Sequence, residues 1–234
     1  MNRENLNTVM SRFLLFRNAY IVFQNDVHLE FRTRFAINAI FLFAVTTLIV
    51  VSFSIGGAIL SPKIASALLW IILFFSSMSG LSHIFVREEE QQTADTLRLL
   101  TNSSSILLGK WLFNILLLFS LELVIIPLFL VFMNLSVLNF NILFAVLILG
   151  SLGLASVSTV VAAIISKAGS RGALYAVLSF PISITILASA IHGTKLAFQN
   201  SSFGNCFTDL QVLFSFSVVI ITASFLLFEF IWRD

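Results

Sequence analysis

From residue 36 onward the chain alternates long apolar runs with short polar breaks. A helix crossing the hydrocarbon core of a bilayer needs about 20 predominantly apolar residues. The runs at 36–55, 64–85, 111–133, 142–165, 173–191 and 210–231 meet that length and predict six membrane helices. The breaks carry turn and loop chemistry: Gly56-Gly57 and Ser61-Pro62-Lys63 after the first run, Thr101-Asn102-Ser103-Ser104-Ser105 before the third, and Lys167 to Gly172 after the fourth. Residues 192–209 read as the longest hydrophilic loop, on the side opposite the basic connections. Within the spans, Ser76, Ser77, Ser79 and Gly80 allow close helix approach, and Ser151, Ala155, Thr159 and Ala163 repeat every four residues as a small-residue packing face. Pro181 lies inside the fifth span, tolerated where neighbouring groups satisfy the freed carbonyl.

Two segments have a different pattern. In residues 1–35, Val9, Phe13, Phe16, Tyr20, Phe23, Val27 and Phe31 recur in steps of three and four, one apolar helical stripe. Arg12, Arg17, Asn25, Asp26, Arg32 and Arg34 fall largely off it, the pattern of an interfacial helix with arginines near anionic headgroups. A soluble helix packed on a partner is the alternative for this segment. The second segment is the run from Arg87 to Arg98, Arg-Glu-Glu-Glu-Gln-Gln-Thr-Ala-Asp-Thr-Leu-Arg, between the second and third spans. Charges at mid-bilayer cost about 2.5 kcal/mol or more each, so this run is extramembrane. Ala94, Leu97 and Leu100 keep helical spacing and Asp95 pairs with Arg98 at i,i+3, predicting a short amphipathic helix over about 87–100.

Composition agrees with a polytopic all-α membrane protein: 59% hydrophobic, 10% charged, mean hydropathy +1.03. Little chain remains for a soluble catalytic domain, and no cleavable signal peptide is read at the start. Of the 13 Lys and Arg residues, all but Lys63 and Lys195 fall on one side of the predicted topology. The positive-inside rule puts that side, with both termini and the charged run, in the cytoplasm. The formal charge of +2 then reflects topology and not a nucleic-acid site.

The chemistry is sparse. The single cysteine, Cys206, excludes an internal disulfide framework and a multi-cysteine metal site. There is no Gly-x-x-x-x-Gly-Lys-Ser/Thr loop, so if ATP is used another subunit binds it. His28, His83 and His192 are dispersed, without metal-ligand spacing. Each reads first as structural, although imidazole also ligates haem iron, and His83 near the cytoplasmic end of the second span is the least dismissible. Glu122 is the only acidic residue near the centre of a span, so it is protonated, hydrogen-bonded inside the bundle or facing water. Serines of the second span are the expected partners, with the fifth span as the other choice. Substrate passage and helix coupling are the functional readings, and an interhelical hydrogen bond is the structural one. Pro127 follows five residues later, where it removes a backbone hydrogen bond and is expected to kink the helix.

Six spans with an N-terminal interfacial helix and a cytoplasmic helix after span two resemble the membrane subunit of an exporter-type ABC transporter. The closer resemblance is to the haem exporter protein B (CcmB) family of cytochrome c maturation. It is carried by Arg87-Glu88-Glu89-Glu90, Leu97-Arg98-Leu99-Leu100, Leu108-Gly109-Lys110, Asn114, Leu121-Glu122-Leu123, Pro127-Leu128-Phe129, Leu149 to Gly153, Arg171 and Phe180-Pro181. The family often has Gly near the middle of the charged helix and Pro just after it; this chain has Thr93-Ala94 and Thr101-Asn102 there. The resemblance implies a non-catalytic permease subunit in a bacterial inner membrane, or alternatively a mitochondrial one. It implies a separate ABC ATPase subunit, a haem-handling membrane subunit, a small membrane protein and a haem chaperone as partners, with haem as possible cargo and a homodimer as a possible assembly. Arg87, Glu88, Glu89, Glu90, Asp95, Leu97 and Arg98 would make the ATPase contact. No cofactor site is assigned to this chain: Trp70, Trp111 and Trp232 are dispersed, unlike the tryptophan-rich motif of the haem-handling partner. A secondary transporter or a non-transporting membrane scaffold is the competing class, and its usual paired ionisable groups at mid-membrane are here reduced to Glu122.

Overall fold

The computed structural model describes residues 3–81, 101–167, 173–199 and 201–233, and among these the regular structure is all helical. Seven helices follow in order: α1 (Arg3–Thr33), α2 (Phe35–Ile55), α3 (Pro62–Leu81), α4 (Ser103–Phe132), α5 (Phe140–Lys167), α6 (Ala173–Phe198) and α7 (Phe203–Arg233). Six of them, α2 to α7, are long and apolar enough to cross a membrane. The charged run 87–100, His83 and Arg171 lie outside the described residues.

Several boundaries differ from the hydropathy reading. The polar break before the third span shrinks to Thr101-Asn102, because Ser103-Ser104-Ser105 already form the first turn of α4, with the Ser105 amide donating to the Asn102 carbonyl at 2.9 Å. The loop expected over 192–209 largely disappears: α6 continues to Phe198 and α7 begins at Phe203. Hydropathy measures where a helix leaves hydrocarbon, whereas backbone hydrogen bonding continues through polar residues in the headgroup region and beyond. His192 and Cys206 are therefore helical, and Cys206 is buried, with its sulfur 3.2 Å from where a Cβ on Gly193 would stand.

The core is centred on α3 and α5, the most enclosed of the spans. Helix α5 packs on α4, α6 and α7, while α3 packs between α2 and α6. Trp70 of α3 is fully buried; its indole N–H donates to Thr194 Oγ1 of α6 at 2.9 Å. Its ring also lies against Gly150 of α5, where any side chain would overlap it. At one end of the bundle the Leu138 and Asn139 amides donate to the Ala197 carbonyl, and the Asn139 amide group donates to Ser201 O at 3.2 Å, tying the α4–α5 and α6–α7 turns together. Gly56 closes α2 at that end in the left-handed conformation, φ 61°, its amide bonding Ser52 O.

Candidate functional site

Polar side chains in a bundle this apolar need partners, and two groups of them join α1 to α4 and α4 to α5. The first lies at the end where α1 meets α4. Helices α1 and α2 are separated by one residue, Arg34, at φ 52°. Its amide donates to Glu30 O, and its carbonyl accepts from the Asn38 amide at 3.1 Å. The Glu30 side chain turns across this elbow, and its Oε1 accepts from the Ile37 amide at 2.8 Å, a carboxylate on the otherwise open N-terminus of α2.

One turn earlier on the same face lies Asp26, which pairs with Lys110 of α4 at 3.4 Å; both side chains are essentially without exposure. Gly109 makes this approach possible, since a Cβ there would stand 2.7 Å from the Ala19 carbonyl oxygen. Ser105 Oγ adds a bond to Leu15 O at 3.2 Å. The face of α1 held by α4 is thus Ala19, Val22 and Asp26, in steps of three and four, and Glu30 one turn on is buried and bonds α2. Part of the aromatic stripe points elsewhere: Phe16, Tyr20 and Phe31 are exposed, whereas Phe23 and Val27 are half-buried against the core. This corrects the expectation that Asp26 lies on a headgroup-facing polar side. Two stripes share the helix, and the polar one is the protein contact because it meets a glycine and a lysine.

The second cluster lies between α4 and α5, antiparallel neighbours joined by a short turn. The Trp111 indole N–H donates to Ser156 Oγ at 3.0 Å, and Asn114 Nδ2 donates to Thr159 Oγ1 at 2.8 Å. The Thr159 hydroxyl in turn donates a hydrogen bond to the Ala155 carbonyl at 2.6 Å. Deeper in the bundle, Ser151 Oγ donates to Glu122 Oε1, and Glu122 is buried. The partner of Glu122 is therefore in the fourth span, not the second or the fifth. The short α4–α5 connection gives α4 the small-residue face of α5, and Ser151, Ala155, Thr159 and Ala163 are all buried there. Interhelical hydrogen bonds of this kind contribute roughly 0.6 kcal/mol each in a membrane. Pro127 sits on the exposed side of α4, and the helix runs on past it to Phe132.

Of the residues singled out in the sequence, the structure brings Lys110 to Asp26, and Asn114, Glu122 and the α5 small-residue face to one seam. His28 is exposed on α1, away from the other two histidines in sequence. Asp26 and Glu30 were not singled out as functional; the available signal was their i,i+4 spacing on a face also bearing Ala19 and Val22. Among the described residues no cluster of three His, Cys, Asp or Glu side chains could hold a metal ion.

Comparison with known proteins gives one family: the model for the family described as CcmB protein matches residues 17–229. No curated protein matches.

Proposed function

We propose, from the premise that this chain belongs to the CcmB family, that it is the ATP-coupled permease subunit of its assembly. The family makes it a membrane component of a haem export system for cytochrome c biogenesis, multi-pass in an inner membrane and not itself an enzyme. The observation that carries this reading is the family match over nearly the whole chain together with six spans.

Nucleotide chemistry then belongs to a separate ATPase subunit, and a haem-handling membrane subunit, a small membrane protein and a haem chaperone complete the set of partners. The basic-residue asymmetry supports placing both termini and residues 87–100 on the cytoplasmic side. In that arrangement Glu88, Glu89, Glu90 and Asp95 would meet the ATPase, and Leu97 with Ala94 and Leu100 would anchor the segment.

The α1–α4 cluster supplies a route from that contact into the membrane. Helix α4 has 30 residues, a length of about 45 Å against a hydrocarbon core of about 30 Å. Its first turns, with Lys110, therefore project toward the cytoplasmic headgroups, and α1 packed on them lies at interfacial depth with its aromatic stripe in lipid. Movement of the 87–100 segment would displace the start of α4. The buried Asp26–Lys110 pair and the Glu30 cap would carry that displacement through α1 and the Arg34 elbow to α2. Glu122 lies farther along α4, where that helix meets Ser151 of α5.

The test reverses Glu88, Glu89 and Glu90 together to Lys. Single exposed charges contribute little, but the triple reversal sets like charges against a complementary basic surface. Co-purification with the ATPase should fall sharply while membrane insertion persists. Undiminished ATPase binding with normal cytochrome c maturation would place the subunit contact elsewhere.

A further inference from the structure

The end of the bundle opposite α1 carries a histidine that the coupling reading does not use. His192, in the penultimate turn of α6, has Nδ1 at 2.7 Å from Asp209 Oδ2 of α7. The histidine side chain is 52% exposed and the aspartate 15%. A carboxylate at Nδ1 holds the Nδ1–H tautomer and fixes the ring plane, leaving the Nε2 lone pair free to coordinate a metal. A bare divalent cation is poorly served here, since ordinary sites use three or four protein ligands and no such cluster occurs among the described residues. One oriented imidazole is enough for iron already held in plane by four nitrogens, as in haem.

The surrounding surface fits the same ligand. Ile184, Ala188, His192 and Lys195 follow one another at steps of four, four and three, a single face of α6. Ile184 and Ala188 are exposed and apolar, two turns and one turn below the imidazole. Lys195 stands nearly one turn beyond it, closer to the helix end. Haem is amphipathic in the same sense: its macrocycle prefers the hydrocarbon side, and its propionates prefer a cation at the membrane surface.

We propose that His192, oriented by Asp209, is an axial ligand for haem iron on the lateral face of α6, with Lys195 receiving a propionate. This rests on the reading of the chain as part of a haem export system and names the surface on which the cargo contacts it.

The test uses the full-length chain in lipid nanodiscs, titrated with ferric haem and followed by the Soret band and by electron paramagnetic resonance. Wild type should saturate at one haem per chain with an imidazole-ligated spectrum. His192→Ala should weaken binding at least tenfold and lose that spectrum, and His192→Gly should regain it when free imidazole is added. Asp209→Asn should weaken binding by roughly 10- to 100-fold, as loss of a partner that orients a metal ligand does. Lys195→Gln should weaken it several-fold without moving the Soret maximum. A His192→Ala spectrum identical to wild type would overturn the assignment. So would iron-free protoporphyrin binding as tightly as haem, which would indicate partition into the apolar surface. Binding of zinc alone at His192 with no haem ligation would also overturn it. The Glu88, Glu89 and Glu90 reversal should leave the haem spectrum unchanged, so failure of the ATPase contact and failure of the haem site are read separately.

Discussion

Lys110 and Glu122 are buried polar residues on one helix, and they respond to substitution for different reasons. Removing one partner from a buried ion pair costs about 3–5 kcal/mol, because the remaining charge loses its compensation, whereas removing both can be near neutral. Lys110→Met should therefore lower the thermal unfolding temperature in detergent, and Asp26→Asn combined with Lys110→Met should recover a large part of the loss. A double variant no better than the single would mean that this pair contributes little to the α1–α4 contact. Glu122 accepts a single described hydrogen bond, from Ser151. Glu122→Gln keeps an acceptor there and should retain assembly and cytochrome c maturation. Glu122→Leu leaves the Ser151 hydroxyl without it, a loss of about 1 kcal/mol, and should disturb packing or function. Wild-type maturation by the Leu variant would make Glu122 a bystander. The carboxylate was legible in the sequence as an intramembrane exception, but Ser151 as its partner was not, since serines occur in several spans.

At the scale of the element, α1 has two faces and a strained end. Gly109 is the contact point on α4, and Gly109→Leu would drive a side chain into the Ala19 carbonyl and Val22. Undocking of α1 should follow, read as faster proteolysis within residues 3–33 with α2–α7 intact; unchanged proteolysis would put the α1–α4 contact elsewhere. Arg34 holds a left-handed conformation that costs a residue with a Cβ about 1–2 kcal/mol. Arg34→Gly should keep the elbow and not lower the unfolding temperature, while Arg34→Val should lower it. The aromatic repeat made α1 readable as a helix, yet Phe16, Tyr20 and Phe31 of that repeat are exposed. The protein-facing stripe of Ala19, Val22 and Asp26 becomes a contact only because Gly109 and Lys110, more than 80 residues later, form its complement.

At the scale of the whole molecule, sidedness decides what each end can do. Gln199 is exposed at one end, and Thr33 is exposed beside the elbow at the other. In a Cys206→Ser background, Gln199→Cys should react with a membrane-impermeant maleimide from outside and Thr33→Cys only after permeabilisation; the reverse pattern would move residues 87–100 out of the compartment where ATP is available. The six spans were determined by sequence alone, because transfer of apolar side chains into hydrocarbon is nearly additive along the chain and needs no knowledge of neighbours. Helix ends were not, since Ser103–Ser105 and residues 192–198 stay helical beyond the apolar runs, where hydropathy no longer reports on backbone pairing. Pairings also required the fold: Asp26 with Lys110, Glu122 with Ser151 and His192 with Asp209 each join side chains from different helices. A residue's polarity announces that it needs a partner, but which partner it meets depends on the register and rotation of two packed helices, and those are set by the tertiary structure.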